Sequence, residues 1–128
     1  MVASSIVNIS GASDIFKEGY ITYSNEAKER ILGVKHATLE EYKAVSAETA
    51  AEMAEGALRI SKADVSVSVT GVAGPSREDD KPVGLVYIGC CYKGETHVKE
   101  CDLSGDRHTI RSTKEALKFV LDIIKTNR

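Results

Sequence analysis

The ten residues Gly19–Lys28, GYITYSNEAK, constrain the fold of this chain most, because they read as a strand that turns directly into a helix. Gly19, Tyr20, Ile21, Thr22 and Tyr23 combine a permissive glycine with aromatic and β-branched residues, the composition of a strand. Ser24 and Asn25 are N-cap residues, and Glu26 follows in the first turn, where a carboxylate favours the positive end of the helix dipole. The corner puts Tyr23 and Lys28 at a strand end, and strand ends are where open α/β sheets bind ligands. A lysine there acts as a base if its pKa falls, and a tyrosine can steer a proton. A surface lysine beside a tyrosine packed on a sheet edge fits the same ten residues.

The remaining elements follow from period and punctuation. Val2–Ile9 carries apolar residues at 2, 3, 6, 7 and 9, a helical stripe ended by Ser10–Gly11. The helix opened at Asn25 runs to about Leu32, with Gly33 closing it. Thr38 is expected to cap a short turn, TLEEY, and Ser46 to open the helix AETAAEMAEGALRI. VSVSVT, Val65–Thr70, alternates as a strand, and Gly71–Pro82 is a loop with both prolines. Val83–Tyr92 and Thr96–Leu103 flank Lys93-Gly94-Glu95 as a hairpin. Ser104, Gly105 and Asp106 start a last helix with an apolar stripe of Ile110, Leu117, Val120, Leu121 and Ile124. Helices alternating with strands early, and a hairpin late, predict an α/β fold with a mixed sheet covered by helices.

At 128 residues the chain is one domain, and its net charge of -2 argues against a general nucleic-acid binder. No apolar run approaches the ~20 residues of a membrane span, and no signal-peptide pattern opens the chain, so a cytoplasmic location is expected. Cys90, Cys91 and Cys101 are too few, and odd in number, for a disulfide framework. If the hairpin turns about Gly94, Cys91 lies opposite His97, as a nucleophile with its base or half of a metal site. No CxxC or HxxxH spacing supplies further ligands, so buried cysteine acting as a small hydrophobe is the better reading. His36 and His108 have no partner in sequence and are expected to be exposed.

Two more segments carry candidate chemistry. Thr70-Gly71-Val72-Ala73-Gly74-Pro75 puts a hydroxyl and a glycine turn at a strand end, where backbone N–H groups can meet an anion. It lacks the Gly-Lys-Ser/Thr of a Walker loop and the GxGxxG of a dinucleotide site, and equally suits an ordinary turn. Arg107 and Arg111, four residues apart, share a helix face near its positive end. An anion between them would remove that conflict, as would Asp106 and Glu115 on a solvated face.

Six collinear strings, SGASDIF, EGYITYSNEAK, AVSAETAAEMAEGAL, VTGVAGP, KPVG and SGDRHTIR, span nearly the whole chain. Together they resemble the C-terminal domain family of the competence/damage-inducible protein CinA, the nicotinamide-nucleotide amidohydrolases. The resemblance implies a three-layer α/β/α sandwich, often a dimer, that hydrolyses the amide of nicotinamide mononucleotide to the acid and ammonia. It implies no cofactor and no metal. Lys28 would be the base of a Ser/Lys-type mechanism, with Tyr23 and Thr70 assisting proton transfer. Backbone at Gly71 and Gly74 would line the pocket, and Arg107 with Arg111 would hold the phosphate. Family members carry a strand ending in Glu-Ser-Cys-Thr-Gly-Gly directly before the helix that matches Val2–Ile9, and its serine is the nucleophile. The 128 residues begin just past that point, so the first strand and the nucleophile are expected to be missing, and Ser4 and Ser5 are no positional substitutes. The expected partners are a nicotinamide nucleotide and a second copy of the chain, with neither nucleic acid nor membrane. The alternative is an inactive nucleotide-binding or oligomeric domain of the same fold.

Overall fold

The computed structural model describes residues 17–72, 84–102 and 108–127, with side chains of the last segment from 113 to 126. The helix expected at Val2–Ile9, the turn at Gly74 and the start of the last helix at Ser104 lie outside these residues. Helix α1, Asn25–Leu32, begins where expected: the Ser24 hydroxyl accepts from the Ala27 amide at 3.1 Å. It ends at Gly33, whose φ of 71° lets its amide reach the Glu29 carbonyl. Helix α2 spans His36–Tyr42, and α3 spans Ala47–Ser61 with Ser46 as N-cap. Thr38 caps nothing. It sits inside α2, two residues past its start, and its hydroxyl donates to Glu52 Oε2 of α3 at 2.6 Å.

Strands β1 (Val65–Gly71), β2 (Leu85–Tyr92) and β3 (Glu95–Asp102) form a sheet in the order β1-β2-β3. Both pairings are antiparallel, so no parallel component of the expected mixed sheet lies among the described residues. Gly19–Tyr23 is not a strand here. Its side chains alternate, Tyr20 and Thr22 inward and Ile21 and Tyr23 outward, yet a strand also needs a ladder, and the segment has no sheet partner among the described residues. The β2–β3 turn contains two residues, Lys93 and Gly94, both with positive φ (52° and 78°), the geometry whose twist matches the flanking strands. That moves the register one residue from the expected one. Cys90, not Cys91, faces His97, while Cys91 faces Thr96.

The two faces of β1 explain the three layers. Val67 and Val69 pack on the side of Val86, Ile88, Cys101, Ala116 and Phe119, under helix α4 (His108–Asn127). Lys99 on β3 and Glu115 on α4 join these layers through a 3.1 Å ion pair. The hydroxyls of β1 turn the other way: Ser66 donates to the Ala54 carbonyl, Ser68 to Ala50 and Thr70 to Ala44, at 2.6, 2.6 and 2.8 Å. Thus the polar half of VSVSVT faces α3 and the segment just before it, whose carbonyl oxygens satisfy it. Gly89 on β2 makes room for this: a Cβ there would lie 2.5 Å from the Ala50 carbonyl oxygen. Beyond α3, a core of Leu32, Val34, Leu39, Ala44 and Met53 joins α1 and α2 to it. On α4 the buried face is Thr113, Ala116 and Ile123; Leu121, expected in the stripe, is 55% exposed. No helix among the described residues is long and apolar enough to cross a membrane.

Lys43, between α2 and α3, has φ 70° and ψ 176°, a region that side chains with a Cβ rarely enter. Its carbonyl is held by the hydroxyls of Thr49 and Ser46, at 2.6 and 3.0 Å. The cap of α3 therefore fixes a backbone that only glycine adopts freely. Lys43→Gly is expected to raise the unfolding free energy by about 1 kcal/mol, after the extra chain entropy of glycine is subtracted. Urea unfolding checks this, and a lower midpoint at equal slope is the contrary result.

Candidate functional site

The helical spacing that buries Leu32 also buries the residue four positions earlier, which is Lys28. It is only 8% exposed, and its Nζ donates to the Thr22 carbonyl oxygen at 2.8 Å. An amphipathic helix ordinarily places an apolar side chain there. A lysine buried at a core position of a helix, with its ammonium held on a main-chain oxygen, is a candidate for chemistry. Thr22 was not among the sequence candidates. It contributes through its backbone, which no side-chain motif records; its inward place in the alternation GYITY was the only available signal.

Thr70 is likewise buried, near the end of β1, with its hydroxyl directed at Ala44. Ala44 belongs to the same core cluster as Leu32, so Lys28 and Thr70 are both anchored on the layer of α1–α3. Gly71 ends β1 against β2, where a Cβ would meet Val86 Cγ2 at 2.8 Å and the Leu85 carbonyl oxygen at 3.0 Å. Tyr23 differs from the other candidates: it is 96% exposed, on the opposite side of the chain from buried Thr22. Gly74 and Arg107 lie outside the described residues. Arg111 lies on α4, and its side chain is also outside them.

The cysteine–histidine alternative loses support. All three cysteines are free and buried. Burial, with a smaller contribution from Cys91, pushes the Cys90 thiol up to about 11, away from the thiolate a nucleophile needs. Among the described residues no cluster of three or more His, Cys, Asp or Glu could hold a metal. His36 is exposed as expected, but it has partners: Glu29 at 3.2 Å and Glu40 at 3.4 Å. The Glu29 hydrogen bond, then the charges of Glu29 and Glu40, raise its pKa above 6.5. A raised folded pKa means that this contribution to stability is complete below the unfolded value and disappears as pH rises through the folded one. Proton NMR should show His36 titrating above 6.5, and a midpoint at or below it would contradict the pairing.

Comparison with known proteins agrees with the fold. The chain is 50% identical over 126 residues to a CinA-like protein of Kosmotoga olearia, covering 98% of this chain and 30% of that protein. It therefore spans less than a third of the length of that relative. The crystal structure of the competence or damage-inducible protein of Enterobacter asburiae superposes with a TM-score of 0.92 at 32% identity, covering 95% of this chain and 79% of that one. The competence/damage inducible protein CihA of Agrobacterium tumefaciens gives 0.87 at 35% identity, covering 99% and 78%. The family model of the CinA C-terminal domain matches residues 1–126, and the chain belongs to that family.

Proposed function

We propose that this domain binds nicotinamide mononucleotide and provides the base for hydrolysis of its carboxamide to nicotinic acid mononucleotide and ammonia. The observation that supports this best is Lys28, a lysine buried in a core helix position with its Nζ fixed on a backbone carbonyl. In the reaction a serine hydroxyl attacks the amide carbon while Lys28 takes the hydroxyl proton. The same proton then leaves with the amine as ammonia, and water releases the acid from the serine ester. Thr70 orients the groups, Gly71 and Gly74 line the pocket with backbone, and Arg107 with Arg111 holds the phosphate. Tyr23 assists proton transfer in this scheme only if it turns inward from its solvent-facing position.

The attacking serine belongs to the family segment Glu-Ser-Cys-Thr-Gly-Gly, which is not among the 128 residues. Ammonia release is therefore measured on these residues alone and with that segment joined ahead of Val2. The expected result is nucleotide binding by calorimetry in both and turnover only with the serine. Absence of binding heat from a folded protein at about 1 mM nucleotide would contradict the reading.

The outward side chains of Ile21 (89% exposed) and Tyr23 favour self-association as a second element of function. A segment that alternates like a strand and has no ladder among the described residues can be completed by a second copy. Light scattering is expected to give a dimer or larger assembly; a monomer at micromolar concentration contradicts it.

A further inference from the structure

A cleft lined by none of the candidate residues above opens where the C-terminal end of α2 and the first turn of α3 meet the sheet. Its volume is about 550 Å³, within the range of small-molecule sites. Tyr42, Tyr87 and Val98 supply its apolar walls, and Glu41, Glu48 and Glu100 its carboxylates, against one cation, Lys43. Tyr42 and Val98 are exposed, so the apolar wall is open to a ligand. We propose that this cleft binds a small organic cation, an alkylguanidinium or alkylammonium, with its stem on the tyrosine faces and its charge among the glutamates.

Two arguments support this occupant. The walls are electron-rich rings, whose faces attract cations and whose bodies cover an apolar stem. Tyr87 is already oriented for the role: its hydroxyl donates to Glu100 Oε1 at 2.6 Å, across the β2–β3 pair. That bond, then burial, pushes the Tyr87 phenol up to about 12, so the phenol keeps its proton and remains the donor to Glu100. The net charge of the lining is negative, which excludes phosphate-bearing ligands and separates this cleft from any anion site built by the arginines. A cleft of this size holds one small molecule rather than a protein surface.

The probe is ethylguanidinium, titrated into the 128-residue protein and followed by NMR at constant ionic strength. Saturable shifts confined to Tyr42, Tyr87 and Val98 are expected at about 1–10 mM. Ethylurea, of equal shape and no charge, should produce none. Tyr87→Leu, checked for folding by circular dichroism, should weaken binding about fivefold, as should Glu48→Gln, which leaves the rings in place. No saturation by the cation, an equal response to ethylurea, or shifts centred elsewhere would each overturn the proposal.

Discussion

Gly56→Ala should lower stability by about 3 kcal/mol and the melting temperature by roughly 10 °C. On propensity alone the sign is opposite, since alanine is favoured over glycine inside a helix by about 1 kcal/mol. Contact geometry reverses it. A Cβ at Gly56 would lie 1.9 Å from the Leu32 carbonyl oxygen, with that residue's carbonyl carbon at 2.8 Å and Cα at 3.1 Å. All three are backbone atoms, so no side chain can move aside. Either α1 shifts away from α3 or α3 bends, and both open the core of Leu32, Val34, Leu39, Ala44 and Met53. Arg59 adds to the loss, because its guanidinium donates to the same Leu32 carbonyl at 3.2 Å. Thermal unfolding followed by circular dichroism decides it; an unchanged or higher melting temperature would show that the helices separate without cost.

Lys28→Met has the largest effect expected on activity. In protein carrying the serine segment, ammonia release should fall by about 10²–10⁴-fold, the usual contribution of a general base. Stability should change little, by about 1 kcal/mol or less, because methionine fills a similar volume and needs no partner in a buried position. The separation of the two readouts is the point of the experiment. A lysine kept only for structure would give the reverse: activity retained by whatever protein folds, with a large drop in stability. Lys28→Arg adds a second arm, since a group that stays protonated cannot take the serine proton and should be as inactive as methionine.

Local signals translated faithfully from sequence to structure. Ser24, Gly33 and Ser46 act within one helical turn, so their caps needed no knowledge of the rest of the chain. VSVSVT was legible as a strand for the same reason, but not which half faces what. The direction of its hydroxyls depends on the carbonyls of α3, far away in sequence. Gly19–Tyr23 shows the limit from the other side: alternation is intrinsic, whereas a ladder belongs to two segments. The hairpin failed by one residue because the positive φ at Lys93 shortened the turn, and lysine does not advertise that conformation. At the site, the strand–helix corner marked Lys28, while its partner Thr22 stayed hidden because a main-chain oxygen has no residue signature. The cleft of Tyr42 and Tyr87 was invisible for a related reason, its lining coming from four separate elements.

The bonds from Ser66 and Ser68 to Ala54 and Ala50 have a geometric consequence of their own. Two residues along a strand advance about 6.6–6.8 Å, and four along a helix about 6 Å. The two repeats are almost commensurate, and here they run in opposite senses, so successive hydroxyls engage successive turns as pegs engage a rack. Apolar contacts alone would let α3 slide along the sheet by a fraction of a residue. The pegs allow only whole steps, and one step would disengage both of them. Thr70, the next hydroxyl in the row, is held instead on the Ala44 carbonyl just before α3, and any chemistry performed by its hydroxyl inherits that fixed position.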